Sequence, residues 1–252
     1  MSSTDLIAVA AGFITGVLIS IVAGGGGLFL VPALSFGLGV PIAQATGVSL
    51  GAVLIAAVFG VWGHVRAGLV KWKAALIFGV ASMPAAQFSA QLHSVVPERA
   101  AMLAFSVLLV VLSVRMLRSR DPDPAAPRPP ARPLFLIAGG AGVGLLAGFF
   151  GIGGGFLAVP TLALGMGLTL PEAVGTSVVV IFLTSLGGTI GHLRAGTLPV
   201  ELTLKVAGGA AVGALLGSAL AGKMKTPGLR RALSLLLLAV AALTVWKALR
   251  LP

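Results

Sequence analysis

Three blocks of this chain occur twice in one register. Gly25-Gly26-Gly27-Leu28-Phe29-Leu30-Val31-Pro32 returns as Gly153-Gly154-Gly155-Phe156-Leu157-Ala158-Val159-Pro160, which places Pro160 128 positions after Pro32. Ala45-Thr46-Gly47-Val48-Ser49 returns as Ala173-Val174-Gly175-Thr176-Ser177 at the same spacing. So does Gly63-His64-Val65-Arg66-Ala67-Gly68, as Gly191-His192-Leu193-Arg194-Ala195-Gly196. An ungapped register held across separate blocks marks an internal duplication. Whatever the first half forms, the second must also form, and the two copies must pack together.

The stretches around the blocks are apolar: roughly 5–22, 24–40, 44–64, 72–92 and 98–117, then 134–150, 152–168, 172–192, 200–221 and 229–249. A helix that spans a bilayer needs about 20 such residues. Charged residues make up only 9% of the chain and hydrophobic ones 58%, against about 25% charged in soluble domains. A charged shell is therefore missing, and lipid must be the solvent for most of the surface. The expectation is an all-α polytopic membrane protein with two homologous five-helix halves, some segments short or broken at glycine runs. Residues 1–117 form the first transmembrane repeat, 118–133 a Pro/Arg-rich linker, and 134–252 the second repeat. The linker holds six prolines and cannot be helical.

Charge decides how the halves are oriented. Lys71 and Lys73 follow the first GHxRAG block, and their counterparts are Pro199 and Glu201. Residues 93–97 carry no Lys or Arg except at their border, whereas the equivalent segment holds Lys223 and Lys225, with Arg230 and Arg231 just beyond. The basic side swaps between the halves, so the positive-inside rule predicts inverted topology with an odd number of spans in each. Linker 118–133 is then cytoplasmic and both termini lie outside. Four spans in each half, with parallel repeats, is the alternative. The net charge of +11 is read as cytoplasmic loops and not as a nucleic-acid surface, since no basic groove or stacking aromatics accompany it. Met1–Asp5 lacks the basic start of a signal peptide, which predicts a retained first helix.

The candidate site begins with the glycine runs, Gly24, Gly25, Gly26 and Gly27 in one half and Gly153, Gly154 and Gly155 in the other. Neither is followed by GK[ST] or fits GxGxxG. A glycine run interrupts a helix and leaves the next one starting with free N–H donors and its positive dipole end exposed. In lipid such a break survives only when buried or lining a cavity. Two breaks approaching from opposite sides would make an anion site at the midplane, as in inverted-repeat transporters. Close packing through small residues is the competing reading. Pro32 and Pro160 are expected to break the helices that follow.

Thr46, Gly47 and Ser49, with Gly175, Thr176 and Ser177, add hydroxyls that either bind the anion or bond back to their own helices. Thr184 and Ser185 add more. His64, Arg66, His192 and Arg194 are candidates for gating or for handling protons and anions, or they simply end helices at the water interface. No metal site is expected, since His64, His93 and His192 are far apart and few carboxylates lie near them. With no cysteine there is no thiolate site. No cofactor, catalytic set or nucleotide-binding domain is expected, so the chain is not read as an enzyme.

The blocks GGGGLFLVP and GIGGGFLAVP, ATGVS and AVGTS, GHVRAG and GHLRAG resemble the sulfite exporter TauE/SafE family, also called the toluene sulfonate uptake permeases. Length, duplication and the central linker match as well. The resemblance implies a multi-pass permease of a bacterial-type cytoplasmic (inner) membrane, with about eight spans. Its substrates would be small sulfur-containing anions: sulfite, thiosulfate or an organosulfonate. The resulting expectation is a secondary-active carrier that alternates access around a midplane site at the glycine breaks, with possible proton coupling. An anion channel and a membrane subunit that needs a partner are the alternatives.

Overall fold

The computed structural model describes residues 3–23, 26–92, 98–118, 133–150, 154–221 and 226–250. Linker residues 119–132, Gly24, Gly25, Gly153, Lys223 and Lys225 fall outside them. The described residues form ten helices and no strand: α1 (Ser3–Val22), α2 (Gly26–Gly37), α3 (Ile42–Arg66), α4 (Trp72–Leu92), α5 (Glu98–Arg118), α6 (Pro133–Phe150), α7 (Gly155–Met166), α8 (Leu170–Arg194), α9 (Val200–Ala221) and α10 (Thr226–Arg250).

Each apolar stretch has become a helix. The bounds of α3 and α8 differ by the same 128 positions that separate the repeated blocks. Local chemistry fixes their ends. Pro41 precedes α3 as its N-cap, and the start of α8 carries a proline and a Glu172 carboxylate that accepts the Thr169 N–H at 3.1 Å, the reach-back of a capping box. Five helices, α1, α3, α8, α9 and α10, are long and apolar enough to cross a membrane. The chain is a multi-pass membrane protein. Large side chains such as Leu134, Leu204 and Leu235 stand exposed on its outside, where lipid and not water would meet them. By contrast α2 and α7 have 12 residues each, about 18 Å of helix against a hydrocarbon core of roughly 30 Å.

Pro32 and Pro160 do not break their helices, because α2 and α7 run through both. A proline removes one N–H and crowds the carbonyl four residues back, a local loss that helices in lipid tolerate, with Pro32 exposed and Pro160 buried. The interruptions fall instead at Ala23 and Gly154, whose φ values of 50° and 72° lie outside any right-handed helix.

Glycines set the packing. Lipid gives no hydrophobic drive for helices to associate, so close van der Waals approach through small residues takes its place. Gly12 and Gly16 of α1 face the backbone of Val206 and Ala210 in α9, while Gly209 and Gly213 of α9 face the backbone of Val9 and Phe13. The contacts advance together, so α1 and α9 are parallel. Their counterparts repeat this: Gly140 and Gly144 of α6 face the backbone of Phe78 and Ser82 in α4.

The centre is the α3–α8 pair. Gly47 near the start of α3 faces His192 and Thr197 at the end of α8, and Gly175 near the start of α8 faces His64 and Leu69. Between them Gly188 meets Leu50, and Gly60 meets Val178. These contacts run in opposite directions, so α3 and α8 are antiparallel. Gly51 and Gly63 dock α3 in parallel on α9 through Thr203 and Ser218, and Gly79 and Gly187 dock α4 in parallel on α8. On one side α5 and α10 pack on each other, bridged by Ser106 and Thr244 hydroxyls 2.6 Å apart and by Ser113, which donates to the Ser234 carbonyl at 3.0 Å.

Adjacent glycines in α9 give a direct test. Gly208 has open space where a Cβ would stand, whereas Gly209 lies against the α1 backbone. Gly208→Ala is expected to hold or raise the melting temperature of the purified protein, since alanine favours helix by about 1 kcal/mol. Gly209→Ala is expected to lower it, by about 1–3 kcal/mol of overpacking.

Candidate functional site

The two helix breaks touch. A Cβ built on Gly155, the first residue of α7, would collide with the carbonyl oxygen of Ala23, which follows α1, and with the end of the Ile181 side chain. Ile181 lies midway along α8. The start of α7 is therefore wedged between the break of the other half and the middle of the central pair. Gly154 packs on Val143 and Ala147 of α6, with the Thr184 methyl 3.7 Å from its Cβ position. In the first half, Gly26 lies against Thr15 and Ile19, and the Thr15 hydroxyl donates to the Gly26 carbonyl at 3.3 Å. Gly26, Gly27, Gly154 and Gly155 are all buried. Their backbone groups are thus hidden from lipid.

The hydroxyls divide by what they bond. Thr46 donates back to the Ile42 carbonyl at 2.9 Å, and Thr176 accepts the Lys71 N–H at 3.1 Å. Thr184 donates to the Val180 carbonyl and pairs with the Ser82 hydroxyl 2.6 Å away. Ser49, Ser177 and Ser185 are fully buried and have no hydrogen-bond partner, and the buried Thr189 hydroxyl is likewise unpaired. Gly47 and Gly175 are the close-approach points of the α3–α8 contact.

Both GHxRAG blocks end their helices in the same way. The Gly68 N–H reaches the Val65 carbonyl and the Leu69 N–H the His64 carbonyl, with Gly68 at φ 68°; Gly196 and Thr197 repeat this on Leu193 and His192, with Gly196 at φ 66°. This is a Schellman ending, whose left-handed residue favours glycine. The side chains then diverge. His64 is buried and its Nε2 donates to the Ser20 carbonyl at 3.1 Å, while His192 Nδ1 meets the Thr197 hydroxyl at 2.8 Å. Arg66 stacks on Trp62 at 4.6 Å, but Arg194 has Ile190 at the equivalent position. The blocks therefore sit at opposite ends of the central pair, and His64 reaches, through Ser20, to within one turn of the break at Ala23. Among the described residues no three His, Cys, Asp or Glu side chains are grouped to hold a metal.

The family model described as sulfite exporter TauE/SafE matches residues 8–244. The chain belongs to the TauE/SafE family. A probable membrane transporter protein of Methanocaldococcus jannaschii is 33% identical over 192 residues, 74% of this chain and 71% of that protein. One of Bacillus subtilis is 28% identical over 213 residues, 82% of this chain and 86% of the relative. One of Xylella fastidiosa is 27% identical over 249 residues, covering 96% and 95%. No solved structure matches the chain. It is a membrane transporter of this family.

In this transporter the two ends of the central pair are held differently. Where the α3–α4 loop meets the start of α8, Lys71 Nζ lies 2.8 Å from Glu172 Oε1, and the Lys71 N–H bonds Thr176. At the other end the equivalent positions are Pro199, Gln44 and Val48, which supply no cation and no carboxylate for an ion pair, and neither the backbone N–H nor the hydroxyl of the second bond. Motif reading misses Lys71 because it lies outside the repeated blocks. Glu172→Gln, which copies Gln44, is expected to lower the thermal stability by about 1 kcal/mol, the upper range for a partly exposed pair. An unchanged melting temperature would mean that the ion pair adds nothing.

Proposed function

We propose that this chain is a secondary-active permease for a small sulfur-containing anion, sulfite, thiosulfate or an organosulfonate, with alternating access around a site where the two glycine breaks meet. The observation that carries this reading is the contact of Gly155 with Ala23 beside Ile181. The start of α7 at this buried point offers N–H donors and a positive dipole end to an anion, and α2 begins three residues after Ala23. The family description names sulfite export, and the relatives are named probable membrane transporters.

In this reading residues 1–117 and 134–252 are inverted repeats joined by the cytoplasmic linker 118–133, in a bacterial-type inner membrane with both termini outside. The antiparallel course of α3 and α8 supports the inversion, because these two helices carry the matched blocks. The short α2 and α7 are then half-length segments that turn back at the breaks. Gly24, Gly25, Gly26 and Gly27 with Gly153, Gly154 and Gly155 form the anion's backbone cradle. Thr46, Gly47 and Ser49 with Gly175, Thr176 and Ser177 line the path to it. His64, Arg66, His192 and Arg194 gate its two ends, with the histidines able to carry protons.

The test is counterflow in proteoliposomes loaded with unlabelled sulfite, thiosulfate, a sulfonate or acetate and offered a trace of the labelled anion. Accumulation with a sulfur anion, and none with acetate, is the expected result. Saturation-free flux with unitary currents would instead make the protein a channel. No flux from correctly inserted protein would make it a subunit that needs a partner.

A further inference from the structure

The repeated halves are matched in backbone but not in buried hydroxyls. Four unpaired hydroxyls lie on the central pair: Ser49 on α3, and Ser177, Ser185 and Thr189 on α8. A buried hydroxyl without a partner is costly, so a group of them calls for a ligand or bound water. The register between the helices sorts these four. Gly188 touches Leu50, and Gly47 touches His192, which puts Ser49 level with Thr189. Ser185 is one turn from Thr189, about 6 Å along the axis. Ser185 and Thr189, four positions apart, therefore share one face of α8 within one turn, while Ser49 stands at their level on the other helix. Ser177 lies two turns away from Ser185, beyond Ile181, and about 12 Å distant along the axis.

The mirror location is bare. The residues equivalent to Ser185 and Thr189 are Ala57 and Val61, with no hydroxyl in place of two. Next to this pair lies the start of α7, since Ile181, one turn before Ser185 on the same face of α8, touches Gly155. That places a positive helix end beside the hydroxyls.

We propose that Ser185 and Thr189 form a one-sided oxyanion station, displaced from the centre toward the end that carries His192 and Thr197, and that they determine specificity for a small anion with several oxygens. An anion such as sulfite presents oxygens about 2.4 Å apart, so with two hydrogen bonds of about 2.8 Å it bridges donors up to about 8 Å apart. The paired hydroxyls, one turn apart, fall within that reach, and Ser177 does not. Ser177 lines the path without companions. This inference rests on the carrier reading above for its place in transport, but the binding itself does not.

The test uses replacements that the protein already carries at the mirror positions, Ser185→Ala and Thr189→Val, with Thr189→Ser as the conservative variant and Ser234→Ala, an unpaired buried hydroxyl on α10, as the control. Two quantities are read on the full chain: the rise in melting temperature on adding sulfite, thiosulfate or methanesulfonate in detergent, and the KM of counterflow. Because the hydroxyls are unpaired, their removal breaks no internal bond, and anion-free melting temperatures should hold or rise. Ser185→Ala and Thr189→Val should each weaken anion affinity about tenfold or more, the scale of a lost hydrogen bond to a charged group. Thr189→Ser should restore it, and Ser234→Ala should stay within about twofold. Unchanged affinity in Ser185→Ala and Thr189→Val, or an equal loss in Ser234→Ala, overturns the one-sided station and leaves the carrier reading intact. Wild-type protein stabilised by an anion but without counterflow overturns the carrier reading alone. Wild-type protein that neither melts higher with any of these anions nor exchanges them overturns both.

Discussion

A helix interrupted inside lipid must hide the backbone groups that the interruption sets free, because no water is there to take them. Two such interruptions exist in this chain, and each helps to cover the other. The Ala23 carbonyl lies against Gly155, and Ile181 closes the remaining side. A β-carbon on Gly155 would push the breaks apart, so glycine is required there by proximity. Gly154 is required by its positive φ. From this mutual covering follows much of the architecture. The breaks can meet only if the two halves interlock, and they interlock through α3 and α8, which lie antiparallel with a glycine at each close approach.

Around that centre the bundle is built from backbone contacts. The α1–α9 and α4–α6 seams bring glycine against main chain, the form of association that works where hydrophobic burial offers no advantage over lipid. These seams also hold α1 and α6, which lead into the breaks, to helices of the opposite half. The halves are therefore not two separable units side by side. The two ends of the central pair are held unequally: an ion pair and a backbone bond join Lys71 to α8, whereas at the other end His192 meets Thr197 of its own helix ending.

Much of this was legible in the sequence, for physical reasons that differ by element. Helices α4 and α9 begin and end where the apolar stretches 72–92 and 200–221 do, since lipid-facing runs cannot be other than helical. The RAG endings were legible because only glycine sits easily in the left-handed position at Gly68 and Gly196. Pro32 and Pro160 misled because proline is read as a stop signal in water, whereas a helix in lipid runs on through it. The state of the hydroxyls was not legible. Thr46 and Thr184 bond back to their own helices, but Ser49 and Ser185 do not, and that choice depends on neighbours far away in the chain. The Lys71–Glu172 pair was hidden for the same reason. The glycine spacing at Gly12 and Gly16 and at Gly209 and Gly213 was visible but did not say which helices would meet.

The proposed inversion of the two halves is the central claim, and the chain has no cysteine of its own to obscure a labelling test of it. Ala67→Cys and Ala195→Cys would place single thiols at equivalent, exposed positions just after α3 and α8. A membrane-impermeant maleimide would then be applied to intact cells and to inverted vesicles. Labelling of Cys at position 195 from outside only, and at position 67 from inside only, is the predicted result. Labelling of both from the same side would contradict the inversion and, with it, a site formed by breaks that approach from opposite faces.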